Sequence, residues 1–207
     1  KVDVFALVCL FVFSFEKIYY FPLFYFRQIT CLIGPEQIYL INIGDSRAIV
    51  FSNEGHVLAY TEGRRRKNNT IFERKKIDIY FWDHKPDDPN EQERIHEAGG
   101  RISKPTAGDV LRVENQLAMT RVLGDFAMDK HIVPPMADIV EYPRDSQAAF
   151  IVLACDGIWD VMSNDDVASF VTTRSATTTL ENIASQLLDE CLRLNSTDNM
   201  SVYIVKL

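Results

Sequence analysis

Leu180, Ile183, Ala184, Leu187, Leu188, Cys191 and Leu192 recur three and four positions apart, the period of a single α-helical face. The spacing predicts a helix over 179–194, lying on a sheet with that face. Val167, Phe170 and Val171 repeat the period after Ser163, whose hydroxyl suits a helix N-cap, so a second helix runs from there to about Thr173. Asp88, Pro89 and Glu91 supply an N-cap, a first-turn proline and an acid at the capping-box position. With Gly99 as the stop, residues 89–98 read as one short helix.

The remaining apolar positions read as strands. Ile38–Ile43 and Arg47–Ser52 are β-rich and are joined by the polar turn Gly44-Asp45-Ser46, which predicts a hairpin. Ala148–Ala154 and Ser201–Leu207 complete the core strands. Strands arriving in hairpins, followed by two consecutive helices, define an α+β class: antiparallel sheets covered by helices. A chain of 207 residues with 47% hydrophobic content can bury its core as one domain.

Two segments break this order. Val4–Phe15 is almost continuously apolar, Glu16 and Lys17 interrupt it, and Ile18–Phe26 resumes it around Pro22. The first run is too short to cross a bilayer as a helix, which takes about 20 residues. A membrane or secretory segment, a buried strand pair and a non-native end all remain open for it. Residues 63–82 form the second break: seven of the thirteen residues from Arg64 to Lys76 are basic. A solvated loop insertion is the simplest reading, with a localisation signal or a patch for an acidic partner as the functional one.

The formal charge of −7 and a pI near 5.1 argue against a general nucleic-acid binder, whose footprint is a basic face. Cys9, Cys31, Cys155 and Cys191 form neither a CxxC pair nor a zinc spacing, and they read as small buried hydrophobes of a reducing compartment.

Candidate chemistry gathers near the C-terminus. Ile151–Asp160 leads an apolar strand into Asp156 and Asp160, with Gly157 between them, and Asp198 follows in Ser196–Val202. Taken singly, each aspartate fits a turn or a helix cap. Carboxylates delivered together at strand ends are hard oxygen ligands and point to magnesium or manganese rather than zinc.

Five segments together resemble the metal-dependent serine/threonine protein phosphatases of type 2C. They are NIGDSRAIV from Asn42, DHKPDDPNEQERIHEAGGRI from Asp83, LAMTRVLGDF from Leu117, FIVLACDGIWDVMSNDDV from Phe150 and STDNMSV from Ser196. With their connections they cover residues 29–207 apart from the insertion at 63–82, leaving 1–28 as an unassigned hydrophobic segment. The resemblance implies a central antiparallel β-sandwich flanked by helices in α-β-β-α layers, with a metal centre at one edge. It places Asp156 and Asp198 as ligands of two catalytic Mg2+ or Mn2+ ions, and Gly157 as the small residue beside the first. Asp45 and Asp160, again with Asp156, match a third and weaker ion position. Arg121 and Asp125 match a supporting motif.

The implied reaction is hydrolysis of phosphoserine or phosphothreonine in proteins by a metal-bridged water, with no side-chain nucleophile. A cysteine-dependent phosphatase needs Cys, five residues and Arg, and none of the four cysteines has Arg six positions later. His84 has the titration range of a general acid, yet its position in a loop entering a helix favours a structural role. Phosphorylated protein substrates, a monomer and a cytoplasmic or nuclear location follow as expectations, as does membrane association if residues 1–28 supply an anchor.

The chain also departs from the family pattern. Residues 1–28 contain nothing resembling the family's first acidic motif with its phosphate-binding arginine, or the DGHGG segment that bridges both ions. The expected sandwich therefore lacks its first strands and the expected centre lacks a bridging ligand. A catalytically inactive relative acting as a binding or regulatory module is the alternative. Joining Glu62 directly to Asp83 gives AYTEDHKPDDP, which resembles the family without a gap, so residues 63–82 read as incorrectly joined coding sequence.

Overall fold

Ile38 and Leu40 are buried while Gln37, Tyr39 and Ile41 are only partly so, the period-2 signature of a strand with one face on a core. The computed structural model describes residues 6–18, 21–61 and 83–207; the expected insertion at 63–82 lies outside them. In chain order the strands begin with β1 (Ala6–Ile18), β2 (Phe21–Ile33), β3 (Gln37–Ile43), β4 (Arg47–Phe51) and β5 (Val57–Tyr60). Helix α1 (Pro89–Glu97) precedes the short strands β6 (Ile102–Ser103), β7 (Arg112–Val113) and β8 (Leu123–Gly124), then β9 (Asp138–Pro143) and β10 (Phe150–Ala154). The one-turn α2 (Asp156–Trp159), α3 (Asn164–Ser175), α4 (Leu180–Arg193) and β11 (Val202–Lys206) end the chain.

The strands form two larger antiparallel sheets. One runs β1-β2-β3-β9, with β8 also pairing β2, and the other runs β11-β10-β4-β5. Ile29, Cys31, Ile33, Ile38, Leu40 and Val140 from the first sheet meet Ala48, Val50, Ile151 and Leu153 from the second in one buried cluster. On the second sheet's other face, Ile49, Phe51, Val152 and Ala154 pack against Val167, Val171, Ile183, Leu187 and Cys191 of α3 and α4. The fold is thus α+β, with antiparallel sheets flanked by helices. Each fully buried Leu or Ile in these layers contributes about 1.5–3 kcal/mol of transfer free energy. A third cluster joins Ile95 of α1 to Val113, Leu117, Met119, Val122, Met128 and Val133.

The helices start where their caps demand. The Asp88 carboxylate accepts from Asn90 N–H, the Ser163 hydroxyl from Asp166 N–H and the Thr179 hydroxyl from Asn182 N–H. Glu91, expected to close a capping box, turns away instead. Two arginines draw its carboxylate inward, and charge-assisted bonds outweigh a neutral backbone donor.

The predicted hairpin of β3 and β4 does not form. The two strands lie in different sheets: β3 pairs with β2 and β9, and β4 pairs with β10 and β5. Strand β4 is buried on both faces whereas β3 buries mainly one, so the two enter different layers and the turn between them becomes a corner joining the layers. Gly44 at φ 102° makes that corner possible. Strand β2 runs without a break through position 28, where the sequence analysis divides the unassigned segment from the rest.

Candidate metal centre at the sheet corner

Three chain segments converge at one end of the sandwich. The corner after β3 presents Asp45, the end of β10 presents Asp156 at the start of α2, and β2 presents Arg27 beside the corner. The side chains of Asp45 and Asp156 are both nearly buried, and the Arg27 guanidinium lies between them, with Nη1 2.8 Å from Asp45 Oδ1 and 2.5 Å from Asp156 Oδ2. Asp156 Oδ1 accepts from the N–H of Gly157 at 3.1 Å, so both of its oxygens are engaged.

Local packing explains these positions. A Cβ on Gly157 would lie 2.6 Å from Asn199 O, so only glycine lets the start of α2 rest on the loop that carries Asp198. Ser196 Oγ donates to Gly157 O at 2.6 Å, and Cys155 N donates to Ser201 O at 3.2 Å, which ties the same loop to β10. Asp198 stays solvent-exposed and accepts from Asn199 N–H at 2.7 Å. Asp160 at the far end of α2 is exposed as well and meets Lys85 Nζ at 3.7 Å.

The site carries excess negative charge. Burial and the neighbouring Asp45 push the Asp156 carboxyl up to about 6; Arg27 pulls it down and Asp198 adds to the rise. Burial alone would lower Lys85, but Asp45, Asp160, Asp83 and Asp156 more than offset it and hold the ammonium above its usual range. Burial likewise works against Arg27, and Asp45 and Asp156 reverse the effect, so its guanidinium stays charged.

A second layer of groups holds the corner. Gly44 N–H donates to His84 Nδ1 at 2.9 Å, and His84 Nε2 lies 3.1 Å from Asp138 Oδ2. Arg121 then links Asp138, at 2.9 Å, to Glu91, at 2.5 Å, and Arg94 reaches Glu91 from the other side at 2.8 Å. His84 is thereby committed at both ring nitrogens. Asp125 is buried at φ 46°, and Lys130 donates to its carbonyl oxygen at 2.9 Å.

Arg47 forms the other support. It pairs with Asp83 at 3.3 Å, donates to Asn164 Oδ1 at 2.8 Å and lies 5.2 Å from the centre of the Trp159 ring. Burial pushes the Asp83 carboxyl up to about 7, against the pull of Arg47 and with the help of Asp45. A carboxyl raised in the folded state stabilises the fold fully below its ordinary range near 3.8, and the contribution is lost as pH rises through about 7. Asp83→Asn is therefore expected to flatten the fall in stability between about pH 4 and pH 7, read from thermal unfolding at a series of pH values. An unchanged slope would assign the titration to another group.

Asp45, Asp156, Asp160 and Asp198 are legible in the sequence as candidate ligands, and Arg27, Lys85 and Asp83 are not. Arg27 lay on the wrong side of the boundary at 28. Its signal is a lone cation closing an apolar strand. Among the described residues, no three His, Cys, Asp or Glu side chains are placed to hold one ion as they stand. The donors are nevertheless hard oxygens only, and the space between Asp45 and Asp156 already holds a positive group. The guanidinium stands in for a cation there, and in chemistry the pair fits magnesium or manganese.

A two-sheet sandwich with a carboxylate-lined corner defines the class, and comparison with known proteins places the chain within it. The family model described as protein phosphatase 2C matches residues 27–200, and the chain belongs to that family. Human Protein phosphatase 1B is 37% identical over 183 residues, spanning 84% of this chain and 33% of that protein. Human Protein phosphatase 1A is 35% identical over 184 residues, spanning 84% of this chain and 41% of that one. Among solved structures, a C. elegans sex determining protein superposes with a TM-score of 0.67 at 26% identity, covering 88% of this chain and 40% of that one. Serine-threonine phosphatase 2C from Toxoplasma gondii does so with a TM-score of 0.68 at 20% identity, covering 89% and 58%. The chain thus spans less than half the length of these curated relatives.

Proposed function

We propose that the corner of Asp45, Asp156, Asp160 and Asp198 is the core-side half of a phosphoester-hydrolysing centre acting on phosphoserine and phosphothreonine in proteins. The observation that carries this reading is the pair of nearly buried carboxylates, Asp45 and Asp156, delivered from two sheets to one cation. Asp156 with Asp198 would hold the catalytic ions, and Asp45, Asp156 and Asp160 a further one. Magnesium or manganese held there would lower the pKa of a bound water and offset charge on the phosphate oxygens.

The chain's own groups do the rest. Gly157 N–H fixes the Asp156 carboxylate through Oδ1. His84 anchors Gly44 and so aims Asp45. Lys85, facing four carboxylates, limits their mutual repulsion. Burial raises the thiol of Cys155 and pushes Cys31 up to about 12 and Cys191 up to about 11, which disfavours these three as nucleophiles.

Manganese-stimulated release of phosphate from a phosphothreonine peptide, lost on chelation, is the expected result. Turnover that survives chelation overturns the reading. A second reading, an inactive relative serving as a binding or regulatory module, is supported by the seated Arg27. It calls for weak binding of a single ion and no turnover, and two tightly bound manganese ions in a calorimetric titration count against it.

A further inference from the structure

We propose that Arg27 is a tethered competitor for the cation site: its guanidinium occupies the space between Asp45 and Asp156, and a divalent ion binds there only when that side chain swings out. The proposal rests on the reading of these carboxylates as a cation centre and goes beyond it by naming what controls entry.

The contact is built rather than incidental. Backbone pairing of β2 with β3 begins at Gln28 opposite Ile43, which sets Arg27 one residue beyond the ladder, level with the corner at Gly44. A Cβ on Gly44 would lie 2.9 Å from Arg27 Cγ and 3.1 Å from its Cβ, so the aliphatic stem is seated in the space that glycine leaves. The side chain is only 12% exposed, and Nη1 meets one oxygen of each aspartate.

Exclusion follows from position and from charge. Asp156 Oδ1 accepts from Gly157 N–H, and Arg27 Nη1 lies between Asp156 Oδ2 and Asp45 Oδ1, so an ion shared by the two aspartates must take the place of the guanidinium. The backbone donor belongs to the first turn of α2 and cannot move without it, whereas the guanidinium leaves by side-chain rotation. A divalent ion beside a seated guanidinium would also meet a like charge at contact distance. The site therefore has two exclusive states. In one a charge is attached to the chain, and in the other a charge comes from solution, at an apparent affinity reduced by the fraction of molecules with Arg27 withdrawn.

Binding of manganese alone is the measurement, by calorimetry and by loss of the free-ion electron paramagnetic resonance signal. The variants are Arg27→Gln, Arg27→Lys, Asp156→Asn and the double variant Arg27→Gln with Asp156→Asn. Arg27→Gln is expected to bind manganese at least about tenfold more tightly than the unaltered chain, because two charge-assisted contacts no longer oppose the ion. Arg27→Lys, with a shorter reach and a single point charge, falls between them, and the double variant loses the gain. Manganese should also raise the melting temperature of Arg27→Gln more than that of the unaltered chain.

Equal affinity in the unaltered chain and Arg27→Gln overturns the competitor role; if Asp156→Asn alone still weakens binding, the cation centre stands without it. No specific binding by any form overturns both. Should Arg27→Gln fail to fold by circular dichroism, the comparison of Arg27→Lys with the unaltered chain decides, and equal affinity there has the same meaning.

Discussion

Arg121→Ala is expected to destabilise the fold by about 1.5–3 kcal/mol, the range for losing hydrogen bonds between charged groups, because Glu91 keeps Arg94 and Asp138 keeps His84. Arg121 joins Glu91 and Asp138 with contacts of 2.5 and 2.9 Å, and Glu91 is only 4% exposed. Burial by itself would raise Glu91, but the hydrogen bonds from Arg121 and Arg94 outweigh it and hold the carboxyl down at about 2. A depressed carboxylate stabilises the fold above its ordinary range near 4.5, and that contribution is lost as pH falls toward about 2. Urea unfolding of Arg121→Ala at neutral pH should show the full loss, and the difference from the parent should narrow in acid. Arg121→Lys should recover less than half of it, because an ammonium lacks the planar five-donor fork that engages both carboxylates. A loss below about 1 kcal/mol would reduce the network to the standing of a surface pair.

Asp156→Asn is expected to abolish manganese-stimulated phosphopeptide hydrolysis, a fall on the order of a hundredfold or more, while the fold survives. The carboxylate is shared by every ion position proposed at the corner, and an amide offers one weaker oxygen in its place. Stability is spared for a separate reason. Asp156 faces Asp45 across a single guanidinium and its carboxyl is pushed up to about 6, so the folded state already disfavours its charge. Neutralising it removes repulsion along with attraction. The measurement is a split: turnover falls while the thermal midpoint stays within a few degrees. Retained turnover would remove Asp156 from the centre, and collapse of the fold would make its role structural.

The sequence was legible wherever local rules decide. Ser163 caps its helix because a hydroxyl satisfies a free N–H whatever surrounds it, and the stripe after Thr179 packs Ile183, Leu187 and Cys191 against the sheet while Leu192 at its end is exposed. Glu91 escaped the same logic because its partners, Arg94 and Arg121, include one that is 30 residues away. The corner of Gly44, Asp45 and Ser46 looked like a hairpin because two β-rich runs around a short polar turn carry no mark of which sheet each will join. Arg27 escaped for a similar reason: its two carboxylate partners stand 18 and 129 positions along the chain, and no local pattern announces such a contact. The aspartates were found through the resemblance of whole segments, since each alone could have been a turn.

Arg27 belongs to one sheet, Asp156 follows a strand of the other, and Asp45 stands on the bend that joins them. Their ion pair is therefore a gauge of how the two layers sit. A slide of one layer over the other, driven by a changed side chain among Leu40, Val50, Ile151 and Leu153 in the shared interior, would alter the gap between the carboxylates. The centre would register distant repacking of the interior with no group at the corner replaced.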